Sequence, residues 1–312
     1  MHTHSLPGGL WPVMLTPFTE NNQVDDKGLQ ALTEFYIQSG ASGLFANCLS
    51  SEMFQLTDQE RLDVVRTVVK TAGDAVPVIA TGTFSHSVEK CSESIKRFYD
   101  TGVAAVVVVT NQLVERDEAD EALKARLEQL MQQTGDIPLG LYECPDPYKR
   151  LLPAELMKDL GTTGRFYYHK DTSCNPIAIA SKIEALRNST LSFYNADTPT
   201  ALLSLQAGAS GLSPIGANFY PELYRALISG VRADPQHEEA TELSVLLTVM
   251  DAVVNLHYPF SAKYFLQQRG LPLTTVCRVP YTQPTADDWL KIQALLQVFR
   301  RNAERMHITL SL

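Results

Sequence analysis

The sequence predicts an α/β chain, a (β/α)8 TIM barrel with a C-terminal helical extension, and three observations carry that expectation. Short β-branched runs alternate with longer amphipathic segments, eight such runs can be counted, and strand signals stop near residue 232 while helical periodicity continues. The 312 residues suit a barrel, which commonly needs about 250, plus an extension. A doubly wound open sheet is the alternative, but sequential βα units with short right-handed crossovers close most simply into a barrel.

The strands are expected, in order, at 10–16 (LWPVMLT), 42–48 (SGLFANC), 76–82 (VPVIATG), 104–110 (AAVVVVT), 137–143 (IPLGLYE), 164–170 (GRFYYHK), 190–196 (TLSFYNA) and 209–215 (ASGLSPI). Each precedes a helix-compatible stretch. Thr57 is a candidate N-cap with Glu60 three residues on, ahead of Leu62, Val65, Val68 and Val69 on one face, and Gly102 is a candidate C-cap for the next helix. Beyond the barrel (1–232), the extension (233–312) shows three helical stretches, the last two separated by Gly270 and Pro272, and is expected to pack on the barrel rather than stand alone.

Composition narrows the function. With 26 Lys+Arg against 35 Asp+Glu, and no basic run with interleaved aromatics, there is no positive field to gather phosphates, so nucleic acid is not an expected partner. The opening MHTHSLPGGLWP lacks a basic stretch leading into an apolar core, and no segment approaches the roughly 18 uninterrupted apolar residues of a membrane span. A soluble, cytoplasmic protein is expected. Five cysteines with no C-x-x-C spacing read as reduced thiols rather than disulfides or zinc ligands, and neither metal nor cofactor is expected.

In a barrel, chemistry collects where strands end. Those ends offer Thr16 and Pro17, the run Cys48–Leu49–Ser50–Ser51–Glu52, Thr110 and Asn111, Tyr142, Lys170, and Ser213–Pro214. Lys170 closes an apolar, aromatic run, where a charged ammonium is costly unless it is paired or sheds its proton. A desolvated neutral amine attacks a ketone to form a Schiff base, and a phenol on the neighbouring strand, Tyr142, suits the proton transfers that follow. The plainer readings are a salt bridge from Lys170 to Asp171 and a packing role for Tyr142. Cys48, Cys144 and Cys174 also fall near strand ends, as small apolar fillers or as a thiol cluster at the same mouth.

The segments MLTPFTENNQVD (14–25), SSEMFQLTDQER (50–61), GVAAVVVVT (102–110), IPLGLYECP (137–145), YHKDTS (168–173) and AGASGLSPIGANFYPEL (207–223) together resemble the pyruvate-dependent class I aldolases that include dihydrodipicolinate synthase and N-acetylneuraminate lyase. The resemblance implies that Lys170 is the Schiff-base lysine and Tyr142 the proton-shuttling tyrosine. It implies that the strand-two loop, here Leu49, Ser50 and Ser51, holds the substrate carboxylate, with Leu113 beside the nucleophile; Ser213, at the end of strand eight, is a further candidate substrate-binding residue. Asn218 and Pro221 match a landmark after strand eight and are expected to be structural.

The departures bear on the second half of the substrate. Leu49 stands where the family has a relay threonine, Leu113 where it has a relay tyrosine reaching into a partner subunit, and Pro147 where the synthases carry an arginine for the aldehyde substrate's carboxylate; Lys149 or Arg150 is the nearest substitute. The expected function is therefore a Schiff-base-forming lyase or aldolase acting on pyruvate or a related 2-keto acid, not a true dihydrodipicolinate synthase. The alternatives are a keto-deoxy sugar acid dehydratase working through the same imine, or a non-catalytic ligand-binding paralogue. A homo-oligomer, tetramer or dimer, is expected from the resemblance.

Overall fold

The computed structural model describes residues 5–311. Eight strands and eight helices alternate: β1 (Gly9–Leu10), α1 (Asp26–Gln38), β2 (Leu44–Asn47), α2 (Asp58–Ala72), β3 (Val78–Thr81), α3 (Val88–Tyr99), β4 (Ala105–Val109), α4 (Asp120–Gln133), β5 (Leu139–Tyr142), α5 (Ala154–Thr162), β6 (Phe166–Asp171), α6 (Pro176–Ala185), β7 (Ser192–Asn195), α7 (Ala201–Gln206), β8 (Gly211–Leu212) and α8 (Pro221–Ala233). The strands form one curled parallel sheet in the order β1-β8-β7-β6-β5-β4-β3-β2. Three helices follow: α9 (Glu238–Val254), α10 (Phe260–Gln268) and α11 (Ala286–Arg305). No helix among the described residues is long and apolar enough to cross a membrane.

All eight strands fall inside their expected runs or within a residue of them, but the first and last are much shorter. Pro12 has no N–H to give a ladder, so β1 ends at Leu10 and pairing toward β2 is reduced to one bridge, Val13 to Phe45. Pro214 likewise closes β8 ahead of a 3₁₀ turn over Ile215–Asn218. Thr57 and Glu60 form the expected capping box on α2. Helix α3 is capped by Asp100 rather than by the expected Gly102, which follows two residues later with φ of +93°.

Apolar side chains divide by face, as strand pleating demands. One set fills the layer between the strands and the helices, and a second (Trp11, Phe45, Val107, Tyr142, Tyr168, Tyr194) fills the inside of the curl. The C-terminal helices are pinned by two buried ion pairs: Lys263 of α10 to Glu52 at 2.7 Å and Arg269 to Glu222 of α8 at 2.6 Å.

Candidate active site

Lys170 owes its position to a one-residue irregularity in β6. Phe166 pairs with Leu139 and both face the helices, while Gly140 pairs with Tyr168, leaving Tyr167 as an extra residue. Strict alternation from Phe166 would turn Lys170 outward; the extra residue sends Tyr168 and Lys170 inward instead. Gly140 permits the crossing, because a Cβ there would lie 3.2 Å from atoms of both Tyr168 and Val107.

From that bulge on, the register is regular, and Tyr142 stands directly opposite Lys170. The Lys170 ammonium lies 4.8 Å from the centre of the Tyr142 ring, and both residues are buried to 3 % exposure. Among the described residues no carboxylate pairs with Lys170. Burial pulls its pKa from 10.5 down to about 8, against a smaller upward pull from Cys48 and Cys144. Burial, with the Cys144 and Cys48 thiols adding to it, raises the Tyr142 phenol well above its usual value.

Asp171 does not pair with Lys170: as the next residue along the strand it points to the opposite face. There it meets Lys182 of α6 at 2.6 Å, and the same ammonium holds Glu143, the residue after Tyr142, at 2.5 Å. Burial alone would raise the Asp171 carboxyl, but the His169 ring, 3.9 Å away, and Lys182 outweigh it and hold the group well below the usual range. Glu143 also accepts from the Leu152 and Thr172 N–H groups. Among the described residues Glu143, His169 and Asp171 form the one grouping with metal-ligand spacing. Its carboxylates are already matched by Lys182.

Lys170 and Tyr142 line a cavity of about 530 Å³ with Leu49, Ser50, Lys149, Thr172, Cys174, Asp197, Thr198, Ile215, Asp251, Asn255, Tyr258 and Val279. The lining also carries Asp197, Asp251, Thr198, Asn255 and Lys149, whose ammonium donates to the Thr172 carbonyl at 2.8 Å. Asp251 is raised above its ordinary value by burial.

Of the seven residues singled out in the sequence, Lys170, Tyr142, Leu49 and Ser50 meet at this cavity, and three do not line it. Ser51 turns its hydroxyl back onto the Met14 and Ala46 carbonyls at 2.7 and 2.9 Å, fixing the loop from behind. Leu113 is fully buried in the layer beneath the helices. Ser213 accepts from the Tyr168 hydroxyl at 2.9 Å and donates to the Trp11 carbonyl at 2.8 Å, inside the curl. Arg150 is engaged elsewhere, with Asp120 and the Glu118 carbonyl. Cysteines 48 and 144 are buried, burial pushing Cys144 up to about 11, and Cys174 alone of the three lines the cavity. Asn218 is structural as expected, its amide donating to the Val13 carbonyl at 2.8 Å.

Residues that the sequence reading missed come from the loop after β7 and from the C-terminal segment: Asp197, Thr198, Asp251, Asn255 and Tyr258. A tyrosine before a proline between two helical stretches, LHYPF, was the available signal for the last.

Comparison with known proteins agrees with this architecture. The family model described as the dihydrodipicolinate synthetase family matches residues 6–299. A 4-hydroxy-tetrahydrodipicolinate synthase of Halalkalibacterium halodurans is 29 % identical over 291 residues, covering 92 % of this chain and 95 % of its own. One from Shewanella piezotolerans is 24 % identical over 274 residues, covering 88 % and 92 %. Among solved structures, a dihydrodipicolinate synthase from Bacillus anthracis superposes with a TM-score of 0.85 at 22 % identity, over 94 % of this chain and 99 % of that one. YagE, an E. coli K12 prophage protein of the dihydrodipicolinic acid synthase family solved in complex with pyruvate, gives 0.84 at 22 % identity over 95 % and 99 %. With that match running almost end to end, through every strand and the lysine-bearing β6, the chain belongs to the dihydrodipicolinate synthetase family.

Proposed function

We propose that the chain is a (β/α)8-barrel lyase of the class I aldolase type, in which Lys170 forms an imine with pyruvate or a related 2-keto acid. The observation that carries this is a buried, unpaired lysine, its pKa drawn to about 8, opposite a phenol that lines the same cavity. The neutral amine adds to the C2 carbonyl, and the carbinolamine loses water as Tyr142 supplies the proton to the departing hydroxide. The N–H groups of Leu49 and Ser50, which open the 3₁₀ turn and have no acceptor within it, hold the carboxylate.

The polar lining residues argue for a hydroxyl-rich second half of the substrate. Asp197, Asp251, Thr198 and Asn255 are suited to accept from hydroxyls, whereas a second carboxylate would meet two acids and the single cation of Lys149. That supports an acceptor other than the one the synthase relatives are named for. The same residues favour, as a second reading, dehydration of a keto-deoxy sugar acid through the same imine. A homo-oligomer belongs to the proposal, and light scattering that gives a monomer contradicts it.

The test is a screen for pyruvate release or dehydration from keto-deoxy sugar acids, and for condensation of pyruvate with polyhydroxylated aldehydes and with aspartate semialdehyde. Turnover of a hydroxyl-rich substrate, lost in Lys170→Ala, is expected. Turnover that survives in that variant, or that is confined to aspartate semialdehyde, overturns the reading.

A further inference from the structure

The strand-two loop offers the cavity an alkyl group at Leu49, and Leu113 is buried away from it, so neither supplies a hydroxyl beside Tyr142. A phenol nevertheless reaches that region from another part of the chain. Tyr258 lies between α9 and α10, immediately before the proline that caps α10, and its ring stacks on Phe219 with centroids 6.4 Å apart. It lines the same cavity as Lys170, Tyr142 and Ser50.

The hydrogen bonds around Tyr258 fix the direction of its proton. Tyr36 donates its hydroxyl to the Asn218 side-chain oxygen, which locks the amide so that Nδ2 faces Tyr258 and donates to the phenol oxygen at 2.6 Å. The phenol oxygen is thus an acceptor toward Asn218, and its own proton is directed elsewhere. Its other hydroxyl neighbour is Ser50. Tyr258 lines the same cavity as Tyr142, whose phenol feels the charge of Tyr258, and burial disfavours the phenolate of both.

We propose that Tyr258, with Ser50, is the proton relay of this site, a second phenol supplied by the chain's own C-terminal segment. The inference rests on the imine reading above. When the iminium loses a C3 proton, the C–H electron pair becomes the C2–C3 double bond of the enamine and the nitrogen takes the former C–N π pair. The proton arrives at the Tyr142 oxygen as Tyr142 hands its own to Tyr258, directly or through water, and Tyr258 hands its own to Ser50 and solvent. Each phenol is neutral before and after, so no buried phenolate is formed.

Exchange of the pyruvate methyl protons in D2O, followed by proton NMR at saturating pyruvate, reads this transfer without any acceptor. Borohydride trapping on the same samples reads the imine separately. Tyr258→Phe keeps the ring and its packing; the expected result is exchange slowed about 100-fold, within the usual range for a lost acid–base group, with the Lys170 adduct still formed. Ser50→Ala is the second variant, with a loss of about tenfold expected, the scale of one lost hydrogen bond. Exchange within about threefold of the unsubstituted rate in both variants, with adduct present, overturns the relay and leaves the imine reading standing. No adduct in the unsubstituted protein removes both.

Discussion

Tyr142 and Lys170 are direct partners across the β5–β6 ladder, and the ammonium of one lies 4.8 Å from the ring centre of the other. That proximity gives the amine an apolar neighbour rather than a counter-ion, which is why burial dominates its titration. Only the neutral amine is a nucleophile. With a pKa of about 8, its neutral fraction rises roughly tenfold between pH 7 and pH 9. The rate of imine formation with pyruvate should follow that curve. A rate flat across this range, or still climbing past pH 10, contradicts the assignment.

Lys170 also affects stability. Its folded pKa lies below the value of 10.5 expected when unfolded, so between about pH 8 and pH 10.5 the unfolded chain holds a proton that the folded chain has released. Stability therefore rises with pH across that window, and below it the folded state bears the full cost of a buried ammonium, on the order of 3 kcal/mol. Lys170→Met should accordingly raise the urea midpoint at pH 7 while abolishing imine formation. A lowered midpoint would show that the ammonium is stabilised by a partner.

Behind the pair, Lys182 bridges Glu143 and Asp171 at 2.5 and 2.6 Å on the outer face of the same two strands. Lys182→Met leaves two buried carboxylates without their cation and should cost about 3–5 kcal/mol in chemical denaturation. Because the Asp171 carboxyl is held low in the folded state, its contribution is present above its unfolded pKa near 4 and is lost as pH falls below that value. The deficit of the variant relative to the parent should narrow in acid. An unchanged midpoint at pH 7 contradicts the role given to the bridge.

The C-terminal helices are part of the cavity and of the core. Lys263 and Arg269 form buried pairs with Glu52 and Glu222, and Tyr258 and Val279 line the site. A chain truncated after residue 232 leaves both acids buried without partners and exposes the apolar face of α8, so circular dichroism should show no cooperative unfolding. A truncated chain that melts cooperatively and still forms the adduct would make the extension dispensable.

Much of this was legible in the sequence, for reasons tied to particular residues. The β-branched runs marked all eight strands because parallel strands are buried on both faces. Lys170 and Tyr142 stood out because each ends an apolar run, where polar groups are conspicuous. Asp171 was misleading as a partner, although alternation along a strand already placed it on the opposite face. The bulge at Tyr167 that turns Lys170 inward carries no sequence signal beyond Gly140 on the neighbouring strand. Ser51 and Leu113 were drawn toward the mouth by the family resemblance and Ser213 by its strand-end position, and side-chain direction there is decided by local turns and carbonyl acceptors that sequence does not display. Asp251 was invisible because it enters from a helix far along the chain, through tertiary packing, and Tyr258 was marked only by the proline that follows it.

Borohydride reduction in the presence of pyruvate, followed by intact mass and peptide mapping, tests the central claim most directly. The expected result is a single adduct on Lys170, absent in Lys170→Ala and formed more slowly but still detectable in Tyr142→Phe. No adduct on the folded protein with pyruvate or other 2-keto acids, or an adduct on Lys149 or Lys182 instead, would contradict it.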